Sequence, residues 1–151
     1  MSLPTQLSHE EIQQRIPHKG TMCLLDKVEA WSADEIVCSA TSHLTSDHPL
    51  TAEGRLGVSA IIEYAAQAMA VHGGLLAAGA SAPAAGYLTS IRQVKWYCDR
   101  LDTLGVSMQI RATRLSGDQS MVMYEFTAHA NEVLLAEGRL SAVLDIRSLA
   151  M

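Results

Sequence analysis

Charged residues are scarce, at 18% of a 151-residue chain, and there are only three cysteines, Cys23, Cys38 and Cys98. An odd, widely spaced set with no C-x-x-C excludes a zinc knuckle and a disulfide framework. The histidines are dispersed and show no H-x-x-x-H spacing, so no metal site is expected. A Gly-rich phosphate loop and a G-x-S-x-G elbow are also missing, which leaves nucleotide-binding and serine-hydrolase readings without support. Cationic side chains are the minority: 11 basic residues face 16 acidic ones, for a net charge of −5. A general nucleic-acid binder needs the opposite balance. No internal repeat is visible, and the opening MSLPTQLSHEEIQQRIPHKG lacks a basic stretch followed by an apolar run, so no signal peptide is expected. Three free thiols and seven methionines fit a reducing, cytoplasmic compartment.

What is present is apolar surface. Hydrophobic residues make up 48% of the chain, ample to offset chain entropy, so disorder is excluded. One domain spanning 1–151 is expected, since this length suits one core better than two. Gly57 to Leu76, GVSAIIEYAAQAMAVHGGLL, is long enough to span a bilayer. It is rich in alanine, however, and carries Glu63, Gln67 and His72. A mid-span carboxylate costs about 2.5–3.5 kcal/mol on the insertion scale, which alanine does not offset as leucine would. The segment therefore reads as a helix buried within a globular protein, apolar nearly all round.

A short helix is expected from Ser8, where Ser8 and Glu11 form an S-x-x-E capping box, to a stop at Pro17. Strands are expected over Met22–Trp31 and Glu35–Thr41. After the long helix, Leu75–Gly86 reads as a helix end and a loop. The period then changes to two over Tyr87–Tyr97, Val106–Thr113, Val122–His129 and Leu134–Leu144, four strands expected in meander order. Ser116-Gly117-Asp118 and Ala130-Asn131-Glu132 look like hairpin turns. A single buried helix among antiparallel strands must be wrapped by a curved sheet, which is the hotdog arrangement, an α+β fold. Such a sheet leaves open edges, so pairing with a second subunit edge to edge is a natural remedy.

Three segments carry a family resemblance. Ile16-Pro17-His18 followed by Met22-Cys23-Leu24-Leu25-Asp26-Lys27-Val28 resembles L-P-H-R-x-P-x-L-L-V-D-R-V, the opening of bacterial 3-hydroxyacyl-acyl carrier protein dehydratases of the hotdog superfamily. Ile62-Glu63-Tyr64-Ala65-Ala66-Gln67 resembles their central-helix segment, and Tyr87-Leu88-Thr89-Ser90-Ile91 opens a strand similar to their Y-L-x-x-I. The form E-G-R-L-G-x-x-x-x-I-E-Y-x-A-Q is similar to the shorter dehydratase-like proteins of aryl polyene and related lipid synthesis clusters. The family's G-H-F-P-G loop has one comparable segment here, Ser46-Asp47-His48-Pro49-Leu50. An alternative alignment sets Asp47-His48-Pro49-Leu50 on the upstream N-E-P-F segment and leaves the family histidine without a counterpart.

The resemblance implies a dehydratase acting on 3-hydroxyacyl thioesters of acyl carrier protein in fatty-acid or polyene-type lipid synthesis, without a cofactor. It implies a homodimer or a hotdog heterodimer, with an acyl-phosphopantetheine thioester as substrate. A hotdog acyl thioesterase and a non-catalytic partner subunit are the alternatives. Glu63 is the first candidate, as the one formal charge in the long apolar helix, where burial would raise its pKa into the range of a general acid. Gln67, one turn on, shares its face and is expected to orient it or to help bind substrate. His48 is the expected base, paired with Glu63, and the resemblance implies that the two side chains come from opposite subunits; His43 is a second choice. Gly57 and Val58, at the helix start, are expected to offer backbone N–H groups to the thioester carbonyl. His18 matches the family's P-H near the pocket, His72 reads as a cap or interface residue, and His9 and His129 as surface residues. Arg92, Lys95 and Arg100 form a basic cluster suited to a phosphopantetheine phosphate or an acidic carrier, or simply a solvated strand edge. Met108, Met121, Met123 and Tyr124 are candidates for an acyl tunnel, although strand methionines more often pack in a core.

Overall fold

A computed structural model of the chain describes residues 5–77, 87–118 and 120–143. Helix α1, His9–Gln13, begins with the anticipated box: Ser8 Oγ accepts from Glu11 N–H and Glu11 accepts from Ser8 N–H. The chain then makes a 3-10 turn at Gly20–Met22 before strand β1, Lys27–Trp31. Strand β1 is thus shorter than expected, because the backbone at Met22 and Leu24 bonds to Gln67 of the long helix rather than along the sheet edge. Strand β2, Glu35–Ala40, buries Ile36, Cys38 and Ala40 on one face. A 3-10 turn at Val58–Ala60 leads into α2, Ile61–Leu76. Strands β3 (Tyr87–Trp96), β4 (Met108–Gly117), β5 (Met121–Ala130) and β6 (Val133–Val143) follow. The expected Leu75–Gly86 loop falls largely outside the described residues, as does Leu144 at the end of the last expected strand.

All six strands form one antiparallel sheet in the order β1-β2-β4-β5-β6-β3. Only β4-β5-β6 is a meander. Strand β3 crosses to the far edge beside β6, and β4 joins β2 instead. The period-2 pattern identifies strands but not neighbours, and residues 97–107 make too long a connection between β3 and β4 to impose a hairpin. Alternate residues of β2, β4, β5 and β6 turn inward onto α2, where Tyr64, Ala65, Ala68, Val71 and Leu75 are buried. Gly138 of β6 lets the sheet close up here, since a Cβ would meet Val94 Cγ2 at 2.7 Å and Phe126 Cε1 at 3.0 Å.

The helix is not covered all round. Ile62, Glu63, Ala66, Ala70 and Gly73 are half-buried and Leu76 is exposed, a stripe at helical spacing. Beside it, Leu88, Ile91 and Trp96 of the edge strand β3 are exposed although they follow the inward register of β6. One curved sheet cannot enclose a cylinder, so a second layer is needed to cover this stripe. Among the described residues no helix is long and apolar enough to cross a membrane.

Candidate active site

The segment before α2 is pinned from both sides. Leu56 N–H donates to Asp102 Oδ1 (3.2 Å), Leu101 N–H to Leu56 C=O (2.8 Å) and Val58 N–H to Asp99 C=O (3.0 Å). Arg100 closes a charged fork on Asp102 and holds that carboxyl well below the usual carboxylate range. In this narrow antiparallel bridge Gly57 faces Arg100 as the pair that exchanges no hydrogen bond, so the Gly57 N–H is directed away from the bridge. Gly57 lines an open cleft of about 330 Å³ with Leu50, Ser59, Ala60, Ile62 and Glu63. Of the two expected carbonyl donors, only Gly57 keeps its N–H clear of the bridge. Val58 N–H is taken by Asp99.

Glu63 lies in the first turn of α2, with its side chain 36% exposed. The expected deep burial is therefore absent: Glu63 sits on the uncovered stripe. His18 Nε2 lies 3.1 Å from Glu63 Oε1, and Gln67 Nε2–H donates to the same oxygen at 3.3 Å. Gln67 itself is 0% exposed. Its Oε1 accepts from Leu24 N–H (2.9 Å) and its Nε2 donates to Met22 C=O (2.8 Å). Gln67 thus clamps the 22–24 backbone to α2 and steadies Glu63, as expected of an orienting residue. Within this chain both its N–H groups and its oxygen are engaged, and it does not line the cleft beside Glu63.

Within one chain the structure does not bring His48 to Glu63. His48 is 5% exposed. Its Nδ1 accepts from Leu50 N–H (3.0 Å) and its Nε2 lies 3.0 Å from Tyr64 Oη. With Nδ1 accepting, Nε2 carries the proton and donates to Tyr64. Tyr64 Oη is in turn 2.7 Å from Ser42 Oγ, which donates to Leu24 C=O at 2.8 Å. Glu63 and Tyr64 are adjacent in sequence, but successive helix side chains diverge by about 100°. A histidine that follows Tyr64 therefore leaves the face of Glu63. His43 is also elsewhere: its Nε2 donates to Val106 C=O at 2.7 Å. The residue that does meet Glu63 is His18, whose only sequence signal was its match to the family's P-H.

The remaining candidates divide between core and surface. His72 is buried, donating from Nε2 to Ser32 C=O (2.7 Å) with Nδ1 against the Tyr124 hydroxyl. Tyr124 and Met108 are core residues, whereas Met121 is exposed on β5. His9 donates to Leu25 C=O at 2.8 Å. Arg100 is engaged by Asp102, so only Arg92 and Lys95 remain of the basic cluster, both exposed on β3. Among the described residues no group of metal-ligating side chains occurs.

Burial pushes the pKa of His43, His48 and His72 down from 6.5 and that of Tyr64 up to about 12. Each histidine is thus held neutral in the folded state and takes a proton more readily when unfolded. Stability is complete above the unfolded value of 6.5 and falls as pH drops below it. The slope is about 1.4 kcal/mol per pH unit for each histidine while its folded form stays neutral. Urea midpoints measured from pH 7.5 to 5 are expected to decline steeply, and a flat profile would contradict three buried neutral imidazoles.

A family model described as ApeP-like, ApeP dehydratase, matches residues 10–148. No curated protein matches the chain. Among solved structures, the dehydratase heterocomplex ApeI:P from Xenorhabdus doucetiae contains a chain similar at 23% identity and a TM-score of 0.81, with 92% of this chain and 96% of that chain covered. Thioesterase HI1161 from Haemophilus influenzae is similar at 15% identity and 0.60, covering 92% and 91%. A mutant of thioesterase PA1618 from Pseudomonas aeruginosa is similar at 11% and 0.64, covering 91% and 94%. These likenesses establish the hotdog fold.

Proposed function

The chain belongs to the ApeP-like dehydratase family, and from that premise we propose that this dehydratase-like hotdog protein removes water from 3-hydroxyacyl groups carried as thioesters on acyl carrier protein. One observation carries the reading: a carboxyl group and an outward-directed backbone N–H, Glu63 and Gly57, line the same open cleft at the start of α2. The thioester carbonyl accepts from Gly57 N–H near the positive end of the helix, which acidifies the C2 proton. A base removes that proton, and its electron pair forms the C2=C3 bond. The C3–O bond breaks, and the hydroxyl leaves as water with the proton of Glu63. The elimination uses only acid–base chemistry, so it needs no cofactor.

Within its own chain His48 has its lone pair engaged by Leu50 N–H and its N–H by Tyr64, which speaks against it as the base at C2. The base comes from a second hotdog subunit seated along β3 and the open stripe of α2. The heteromeric assembly named for the ApeI:P complex supports a non-identical partner over a second copy. Exposed Arg92 and Lys95 stand near this edge, where an acidic carrier would dock.

The test is mass spectrometry of a 3-hydroxyacyl carrier protein incubated with the chain alone, with a hotdog dehydratase partner alone, and with both. Loss of one water from the acyl group that needs the chain, alone or with the partner, supports the reading. Release of the free carrier thiol would assign a thioesterase instead. An unchanged acyl group in every mixture would overturn the proposed activity.

A further inference from the structure

The two contacts to Glu63 fall on one oxygen. Oε1 receives Gln67 Nε2–H at 3.3 Å and faces His18 Nε2 at 3.1 Å, while Oε2 has no hydrogen-bond or ion-pair partner among the described residues. On the dehydratase reading this carboxyl group delivers a proton, and with Gln67 and His18 both against Oε1 that proton sits on Oε2. We infer that His18 is the positioning residue of this site: with Gln67 it ties down Oε1, and so makes Oε2 the atom that bears and delivers the proton. The inference rests on the dehydratase reading and deepens it.

The placement of His18 fits that role and no direct one. It does not line the cleft with Glu63, and it reaches the carboxyl from the segment that Gln67 anchors through Met22 and Leu24. Facing a carboxyl oxygen at 3.1 Å, Nε2 is the nitrogen placed to carry a proton. Nδ1 is buried with no hydrogen-bond partner. An orphaned buried nitrogen is unfavourable, and the 3.1 Å approach of Nε2 to Glu63 Oε1 is the ring's one polar contact among the described residues. As the Oε2 proton passes to the leaving hydroxyl, negative charge grows on the carboxylate, and the Gln67 N–H donor and His18 Nε2 already lie against it. Donors preorganised in this way act more strongly on the transition state than on the ground state.

Two measurements decide the point. Long-range proton–nitrogen correlation spectra of the full chain report which ring nitrogen of His18 carries the proton. The Nε2–H form is expected, with its Nε2 signal displaced in Glu63→Gln. A predominant Nδ1–H form, or an Nε2 signal indifferent to Glu63→Gln, would overturn the inference whether or not the chain turns over substrate. In the dehydration assay, His18→Ala is expected to lower kcat by about a hundredfold with KM changed less than about threefold. His18→Gln, which restores an N–H donor, is expected to recover about tenfold of that loss at an unchanged melting temperature. Full activity in His18→Ala, beside inactive Glu63→Gln, would discard the role of His18 and leave the dehydratase standing. Loss of activity in both His18 variants together with early melting would reduce His18 to a structural residue.

Discussion

Glu63→Gln is expected to lower the dehydration rate by about 10²–10⁴-fold, the range that general acids contribute. The substitution is nearly isosteric. Its amide oxygen can still accept from Gln67, which meets Glu63 at 3.3 Å, and keep its place 3.1 Å from His18. What disappears is the proton on the free oxygen, since an amide does not deliver one at neutral pH. The fold should be untouched, because the side chain is 36% exposed and no core contact depends on its charge. The loss should therefore appear in kcat, with KM and melting temperature close to wild type. Single-turnover dehydration followed by mass spectrometry separates these quantities. A variant that dehydrates at the wild-type rate would remove Glu63 from the chemistry, whatever its position in the cleft.

Gln67→Leu is expected to be the most damaging single change to stability among the site residues. Leucine fits the space but offers no polar atoms. The Leu24 N–H and the Met22 C=O, both now bonded to the Gln67 amide, would lose their partners. Leaving a buried backbone group unsatisfied costs about 1–3 kcal/mol, so two such groups give a loss of about 2–5 kcal/mol after the small gain from added apolar surface. For a chain of this size that corresponds to a fall in Tm of about 5–15 °C. Thermal melting by circular dichroism reads it directly. Because the 22–24 segment lies only a few residues beyond His18, activity should fall too, as the grip on Glu63 loosens. Unaltered stability would mean that the segment is held to α2 by packing alone.

Both effects originate in one piece of local design. The first turn of α2 presents Glu63, and Gln67 follows four residues later on the same face. That spacing is legible in the sequence, and so is the orienting role it implies, because residues four apart on a helix are neighbours. The capping box at Ser8 and Glu11 and the change from a helical to a period-2 pattern after Leu76 are equally local, and the structure has all of them. The hotdog architecture follows, since one long apolar helix among antiparallel strands has few other ways to be covered.

What escaped the sequence lies between segments distant along the chain. His48 stood in a polar loop with no periodicity to place it, and its path brings it to Tyr64 rather than to Glu63. His18 showed only a motif match, and its 3.1 Å approach to Glu63 exists because Gln67 draws the following segment onto α2. Val58 reads as a free donor in the sequence, but its N–H donates to Asp99 C=O across the bridge. Glu63 looked buried because its neighbours are apolar, but hydropathy cannot say which side of a helix the sheet leaves open.

The sequence by itself determined the elements, the fold class and the helix face on which a carboxyl group and its amide sit. Those properties depend on residues within one or two turns of each other, where backbone geometry alone sets who is adjacent. The order of strands, the partner of each histidine and the exposure of the α2 stripe were decided only by the tertiary structure. They depend on where long connections close, and closing a loop is nearly indifferent in free energy to its length or exact path, so the local pattern holds no record of it.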